Sequence, residues 1–251
     1  MDSLRFKNKS VIITGGGSGI GKAAALCFAR EGANVAICGR NTNVIKASGD
    51  LKMRYPGQKF IPFVGDASDE GDVIRLVKDA LSKFGKIDIL VNCAGVSEGG
   101  RVEDITLQNW CYVIENNLTN CFLTCKHVLP HMKKRRHGKI VNVSSVAGRF
   151  RSTLAGAHYT SAKAAVIAFT RQLAFEAARH NINVNAICPS QTDTPMLRKF
   201  LTPEKRRGLE ESIPLGYIAS PKQQAKVILF LASEDSDYMT GAIVDVNGGL
   251  L

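Results

Sequence analysis

Thr14-Gly15-Gly16-Gly17-Ser18-Gly19-Ile20-Gly21 is the stretch whose reading decides the fold. It follows the short apolar run 11–14 and leads into an alanine-rich segment that favours a helix. Glycines at a strand-to-helix turn let the backbone bend sharply and approach a pyrophosphate closely. The first amides of the following helix then face the phosphates. The spacing is Gly-x-x-x-Gly-x-Gly rather than Gly-x-Gly-x-x-Gly, and a glycine-rich turn can also serve only to pack a helix on a strand. Gly16 to Lys22 satisfies most of a nucleoside-triphosphatase loop as well. That loop needs Ser or Thr next to hold magnesium, and this chain has Ala23.

Outward from this turn, short apolar runs alternate with longer amphipathic stretches. The runs fall at 11–14, 35–38, 60–64, 87–91, 140–143, 184–188 and 242–246. Each is rich in Val and Ile and too short for a core helix, as suits a strand buried on both faces. Helical stretches are expected at 19–31, 43–55, 69–84, 106–132, 158–180 and 221–232, the last opening on Ser220-Pro221. Strand and helix in strict alternation predict an α/β fold, a Rossmann-like, doubly wound parallel sheet of about seven strands. Residues 1–251 read as a single dinucleotide-binding catalytic domain. Ligands in such folds bind beyond the carboxyl ends of the strands. Segment 189–219 breaks the rhythm with three prolines and many charges, and is read as a substrate lid with one short helix.

Composition narrows the class. The chain is 45% hydrophobic and 22% charged, ordinary for a globular protein. No apolar run approaches the roughly 20 residues that span a bilayer, and the first ten residues carry no signal-peptide pattern. These features predict a soluble, cytoplasmic protein with no membrane partner. The seven cysteines are scattered with no Cys-x-x-Cys pair, so they read as small buried hydrophobes, and no metal site is expected. The net charge is +11, with basic clusters at 133–136 and among Arg198, Lys199, Lys205, Arg206 and Arg207. Few aromatics interleave with these charges. They read as solvated helix ends and loop rather than a nucleic-acid surface.

The second apolar run ends in Cys38-Gly39-Arg40, where an NAD site usually carries an acidic residue for the ribose hydroxyls. Arg40 offers instead a planar, permanently charged fork suited to a 2′-phosphate, which favours NADP over NAD. Tyr159 and Lys163 stand four residues apart at the head of a strong amphipathic stretch, one helical turn apart on one face. A free tyrosine, with a pKa of about 10, is a poor acid–base group at neutral pH. A nearby ammonium and an oxidised nicotinamide ring would lower that value. The pair would then serve as general acid for carbonyl reduction or general base for alcohol oxidation. The fifth run ends in Ser144-Ser145, where a hydroxyl would point into the strand-end crevice and meet a substrate oxygen as charge develops.

Taken together, 14–21, Asp66-Ala67, Asn92-Cys93-Ala94-Gly95, Asn117, Ser145 and Tyr159 with Lys163 resemble the short-chain dehydrogenase/reductase family over essentially the full chain. The resemblance implies a role for each residue. Tyr159 would be the proton donor or acceptor. Lys163 would lower its pKa and hold the nicotinamide ribose. Ser145 would orient the substrate, and Asn117 would position a relay water through a distortion of its helix. Gly15, Gly17, Ser18, Gly19, Ile20 and Gly21 would hold the pyrophosphate. Asp66 would accept from the adenine amine, with Ala67 supplying a backbone contact, and Asn92 would stabilise the central strand. Thr194 would bind the carboxamide, a contact that Thr192 could alter, since the family usually has Val or Ile there. Cys93 replaces a usual Asn, Ser190 a usual Gly, and Asn247 a usual Asp.

The expected activity is hydride transfer between NADP(H), or alternatively NAD(H), and a ketone or secondary alcohol. A catalytically silent dinucleotide-binding scaffold or sensor is the alternative from another class. The chain is also somewhat similar to 3-oxoacyl-carrier-protein reductases, which would make the substrate carrier-bound and the basic run 133–136 a docking site. Against this, Val96-Ser97-Glu98 departs from the Thr-Arg-Asp often found there, and Phe175 stands where a second docking arginine would be expected. Phe150 and Leu154 are expected on one wall of the substrate pocket, and Met196, Leu197 and Phe200 on the other. The long stretches 106–132 and 158–180 carry more apolar surface than one sheet face needs. The resemblance implies that they build a homodimer or homotetramer.

Overall fold

The computed structural model describes residues 4–251. Seven parallel strands run in the order β3-β2-β1-β4-β5-β6-β7: β1 (Ser10–Thr14), β2 (Asn34–Gly39), β3 (Phe60–Val64), β4 (Ile89–Asn92), β5 (Gly138–Val143), β6 (Ile182–Pro189) and β7 (Ile243–Val246). The order reverses between β1 and β4, which opens a crevice at their carboxyl ends. Every residue of β1 and β5 is buried. That is the reason for their unbroken Val/Ile character, since helices cover both faces of the sheet.

Side chains alternate between the two faces. Val11, Ile13, Val35, Ile37, Val91 and Val141 pack under α1 (Gly19–Arg30), α2 (Asn43–Arg54) and α10 (Pro221–Ala232). Ile12, Ala36, Leu90 and Ile140 pack on the other face under α3 (Glu70–Phe84), α5 (Asn120–Arg135) and α7 (Ala157–Ala178). The registers Ile12↔Ala36, Ile12↔Leu90 and Leu90↔Ile140 line the second set into one row. The expected start of α10 is present in full. Ser220 caps it, and Gln223 closes a reciprocal capping box.

A polar chain crosses this apolar interior. The Thr124 hydroxyl donates to Asn92 Oδ1 (2.7 Å), Asn92 Nδ2 to Asn142 Oδ1 (2.9 Å), and Asn142 Nδ2 to Thr170 Oγ1 (2.9 Å). Thr170 in turn donates to the Val166 carbonyl (2.7 Å). All four side chains are buried. They tie α5, β4, β5 and α7 together just below the carboxyl ends of the strands.

The structure departs from the expected elements in two places. Stretch 106–132 is two helices, α4 (Leu107–Ile114) and α5, joined by a π-helical turn at Glu115–Thr119. Segment 189–219 holds two helices, α8 (Pro195–Arg198) and α9 (Pro203–Ser212), rather than one. Both carry the Thr-Pro start that makes helix termini stable: Thr194 and Thr202 accept from the backbone amides of Leu197 and Lys205. Cys38, Cys121, Cys125 and Cys188 are buried as expected of small hydrophobes, while Cys111 is exposed; all seven are free thiols. No described helix is long and apolar enough to cross a membrane.

Candidate active site

The carboxyl end of β1 is locked to that of β4 by one side chain. Thr14 Oγ1 accepts from the amides of Cys93 and Ala94, both at 3.1 Å. The two backbones then run so close that a Cβ on Gly15 would lie 2.9 Å from Ala94 Cα, and Gly15 has φ +67°. Only glycine meets both demands. Ser18 stands at the N-cap of α1 without any side-chain capping bond, and the first turn holds no acidic residue. The opening amides of α1 are thus left free to meet an anion. A glycine-walled cradle ending in uncapped amides fits a dinucleotide pyrophosphate.

The cradle forms one side of a cavity of about 450 Å³. Gly15, Ser18, Gly19, Ile20 and Gly21 line it from below, and Thr192 and Thr194 face them from the segment after β6. Asn117, Ser145, Tyr159 and Lys163 line the same cavity. Gly17 does not: it packs against Val44 of α2. Asn92 lies beneath the cavity in the polar chain, and Ala67 is buried.

Each wall residue has a local cause. Lys163, buried on α7, donates from Nζ to the Val143 carbonyl (3.0 Å), and its own carbonyl accepts from the Ser144 hydroxyl (2.7 Å). A Cβ on Gly148 would collide with the Lys163 carbonyl group, so glycine lets α6 (Val146–Arg149) lie directly on α7. That contact leaves Ser145 at the N-cap of α6, accepting from the Ala147 amide (3.1 Å), with its oxygen toward the cavity. Tyr159 sits one turn before Lys163. The ammonium lies 5.7 Å from the phenol ring centre, and the Tyr159 amide donates to His158 Nδ1 (3.0 Å).

The π-helical turn explains Asn117. Widening the helix frees the carbonyls that would have accepted from residues four positions on. Asparagine side chains take up these acceptors: Asn116 Nδ2 donates to Tyr112 O (2.8 Å), Asn117 Nδ2 to Val113 O (2.9 Å) and Asn120 Nδ2 to Asn116 O (2.6 Å). Asn117 Nδ2 also donates to Val96 O (2.9 Å), which leaves its Oδ1 buried and without a partner. That oxygen and Lys163 Nζ both lie beside Gly95. A buried unpartnered acceptor beside an ammonium is a place for a bridging water.

The protein's own groups do not by themselves lower the Tyr159 pKa. Burial pushes the Tyr159 phenol up, the Ser145 hydroxyl pulls it partly back, and the Cys93 sulfur adds to the rise. Burial likewise pushes the Lys163 ammonium down. The phenol therefore keeps its proton at neutral pH.

Arg40 and Asp66 lie at the ends of β2 and β3, one and two strands along from the cavity, with Arg40 Nη1 3.9 Å from Asp66 Oδ2. Arg40 Nη1 also donates to Asn116 Oδ1 (3.0 Å), so the guanidinium is braced by the π-helical turn. Asp66 Oδ1 accepts from both the amide and hydroxyl of Ser68 (2.9 and 2.7 Å). This second oxygen is held by its own loop while the first faces Arg40.

The sequence model of a family described as Enoyl-(Acyl carrier protein) reductase matches residues 15–251. The chain belongs to the short-chain dehydrogenase/reductase family. It is an oxidoreductase. This short-chain dehydrogenase/reductase is 40% identical to the 3-oxoacyl-[acyl-carrier-protein] reductase of Thermotoga maritima, over 99% of this chain and 100% of that one. It is 37% identical to the (2S)-[(R)-hydroxy(phenyl)methyl]succinyl-CoA dehydrogenase subunit BbsD of Thauera aromatica, over 98% of each chain. The crystal structure of a 3-oxoacyl-[acyl-carrier protein] reductase with bound NAD from Brucella melitensis superposes with a TM-score of 0.90, at 34% identity, covering 100% of this chain and 95% of that one.

Part of the cavity wall around Ser145 and Tyr159 is apolar. Phe150 and Leu154 come from the loop after α6, and Met196, Leu197 and Phe200 come from α8 and just beyond it, as the sequence predicts. Four further wall residues of the dehydrogenase/reductase carry no local sequence signal: Leu209 and Ser212 of α9, and Leu250 and Leu251. The basic run 133–136 lies elsewhere. It ends α5 and leads directly into the amino end of β5, where Arg135 binds Asp88 (2.7 Å) and Arg136 the Arg179 carbonyl (3.2 Å). Tyr159 and Ser145 are at the opposite, carboxyl ends of the strands.

Proposed function

We propose that this oxidoreductase transfers hydride between NADP(H) and a ketone or secondary alcohol, with Tyr159 as general acid/base. The convergence of Tyr159, Lys163, Ser145 and Asn117 on one cavity, opposite an uncapped helix N-terminus behind glycines, carries the reading. Nicotinamide, when bound, supplies or accepts the hydride. Ser145 and Tyr159 hold the substrate oxygen between two hydroxyls. Tyr159 gives its proton to that oxygen as negative charge develops during reduction, and takes it back during oxidation. Lys163 stabilises the phenolate left behind. The Lys163 ammonium and the free Oδ1 of Asn117 hold the water that returns a proton to it. Residues 1–251 act as one catalytic domain, and 189–219 is the cover of its substrate pocket.

A protonated resting phenol sets the pH dependence. Reduction uses the protonated form, so its kcat/KM stays level through neutral pH and falls only as the pH passes the phenol pKa. Oxidation needs the proton lost, so its kcat/KM rises with pH through the neutral range and goes on rising into the alkaline range. Initial rates in both directions check this. Parallel profiles would remove Tyr159 from the proton path.

Arg40 supports NADP over NAD, because no acidic residue ends β2 and its guanidinium is already braced for a phosphate. A charge-assisted pair with the 2′-phosphate is lost in Arg40→Ala. The KM for NADP(H) is expected to rise about 10- to 100-fold relative to that for NAD(H). Equal changes for both cofactors would overturn the assignment to NADP.

The relatives named as carrier-protein reductases support a 3-oxoacyl substrate as the second reading. The run 133–136 stands at the amino end of β5, away from Tyr159 and Ser145, so its position adds no support to carrier docking at the cavity mouth. Exposed Trp110, Tyr112, Phe122 and Phe175 on α4, α5 and α7 support assembly of copies of this chain into a dimer or tetramer.

A further inference from the structure

The substrate cavity has an unbalanced charge. No Asp or Glu side chain lines it, whereas two cations do, Lys163 in its depth and Arg151 on the loop after α6. Lys163 is engaged with the Val143 carbonyl. Three arginines close in sequence to its wall residues are engaged as well. Arg149 is held by Asp245 (3.0 Å), Arg198 by Asp193 (2.8 Å) and Arg206 by Glu210 (3.0 Å). Arg151 pairs with no carboxylate among the described residues. Its guanidinium lies 5.3 Å from the centre of the Phe150 ring, which holds it by its face and leaves its hydrogen-bond donors free. An arginine supported on an aromatic face, beside a cavity that no Asp or Glu side chain lines, is an anion receptor in waiting.

We propose that Arg151 selects substrates carrying an anionic group beyond the reacting carbonyl, a carboxylate or a phosphate. The inference rests on the proposed hydride transfer at Tyr159 for the position of the reacting oxygen. The carbonyl lies between Ser145 and Tyr159, the aliphatic part crosses Phe150, Leu154 and Phe200, and the negative end meets the free edge of Arg151. The guanidinium matches the two oxygens of either anion, and the apolar wall between the two polar ends sets their spacing.

Two matched pairs of ketones separate the sources of charge. Acetoacetyl-coenzyme A and acetoacetyl-N-acetylcysteamine share an acyl group, and the first adds a nucleotide-bearing arm with its phosphates, so the dependence on salt and on Arg151 isolates the charge. 5-Oxohexanoate and its methyl ester differ in a carboxylate. In Arg151→Gln, the ratio of kcat/KM for the anionic over the neutral member is expected to fall about 10-fold or more in one pair, mainly through KM. In Arg151→Glu the fall should be larger. Raised ionic strength should lower the ratio in the wild type and have little effect in Arg151→Gln. A fall in the coenzyme A pair identifies a phosphate, and one in the oxohexanoate pair a carboxylate. Unchanged ratios in both pairs would overturn the proposal while leaving the hydride-transfer reading intact. If the wild type turned over none of the four compounds, calorimetric Kd values for acetoacetyl-coenzyme A and 5-oxohexanoate would decide. A Kd about 10-fold weaker in Arg151→Gln supports the assignment, and equal or absent binding in both proteins refutes it.

Discussion

Tyr159→Phe is expected to lower kcat about 100- to 10,000-fold in both directions while the Kd for the cofactor changes little. The first figure is the usual worth of a positioned acid–base group. The second follows from the geometry. The cradle is built from backbone at 15–21 and from the Thr14 bridge to β4, neither of which touches the phenol hydroxyl. The substitution also removes a buried hydroxyl without adding volume, so the fold has no reason to shift. Stopped-flow turnover and fluorescence titration of the reduced cofactor separate the two quantities. Turnover within 10-fold of the wild type would mean that another group moves the proton. Lost cofactor binding would mean that the phenol shapes the cradle.

Asn142→Leu should produce the largest loss of stability of any single change near the site. Asn142 is fully buried and joins two strands and a helix, donating to Thr170 and accepting from Asn92 and from the Cys121 thiol (3.3 Å). Leucine fills a similar volume but takes one bond from each of two stranded groups in apolar surroundings: the Asn92 amide, left with only the Cys125 sulfur (3.3 Å), and the Thr170 oxygen, left only donating to the Val166 carbonyl. At about 1–3 kcal/mol for each stranded group, the cost is on the order of 3 kcal/mol. In a chain of this size that lowers Tm by about 6–12 °C. Adding Asn92→Leu should cost less than the sum of the two single changes, because one stranded partner then disappears. Calorimetric melts of the four proteins test this. A fall below about 2 °C, or strict additivity, would show that the chain of side chains is not held as a unit.

The sheet was legible because seven short Val/Ile runs, separated by helix-length stretches, admit few packings. The strand ends also located residues of the cavity, since Ser145 follows closely on such a run, as does Asn92 of the polar chain beneath it. Helix starts have a short signature. Ser220-Pro221 marks that of α10, and Thr194-Pro195 and Thr202-Pro203 carry the same signal for the two helices of the 189–219 segment. The π-helical turn has a fainter signature in Asn116, Asn117 and Asn120, three poor helix formers in mid-helix, each of which fills a carbonyl that the wider turn releases. Other features had no local signal at all. Leu250 and Leu251 reach the cavity wall from the far end of the chain, and the brace between Arg40 and Asn116 spans 76 positions. The resting state of Tyr159 was not legible either, because burial depends on every neighbouring element.

The attachment of segment 189–219 has a practical meaning. It is fastened at its base by the Thr192↔Ala219 bridge and by Asp193, whose carboxylate grips Arg198. Between those fastenings, Met196, Phe200 and Leu209 face the cavity without bonding to the sheet or to Ser145, Tyr159 and Lys163. The polar chain and the glycine cradle lie outside this stretch. A mutant library confined to these three positions and to the loop 150–154 is therefore expected to vary which molecules enter while the proposed proton-transfer residues stay untouched. The chain is laid out as a fixed reaction centre with an exchangeable front.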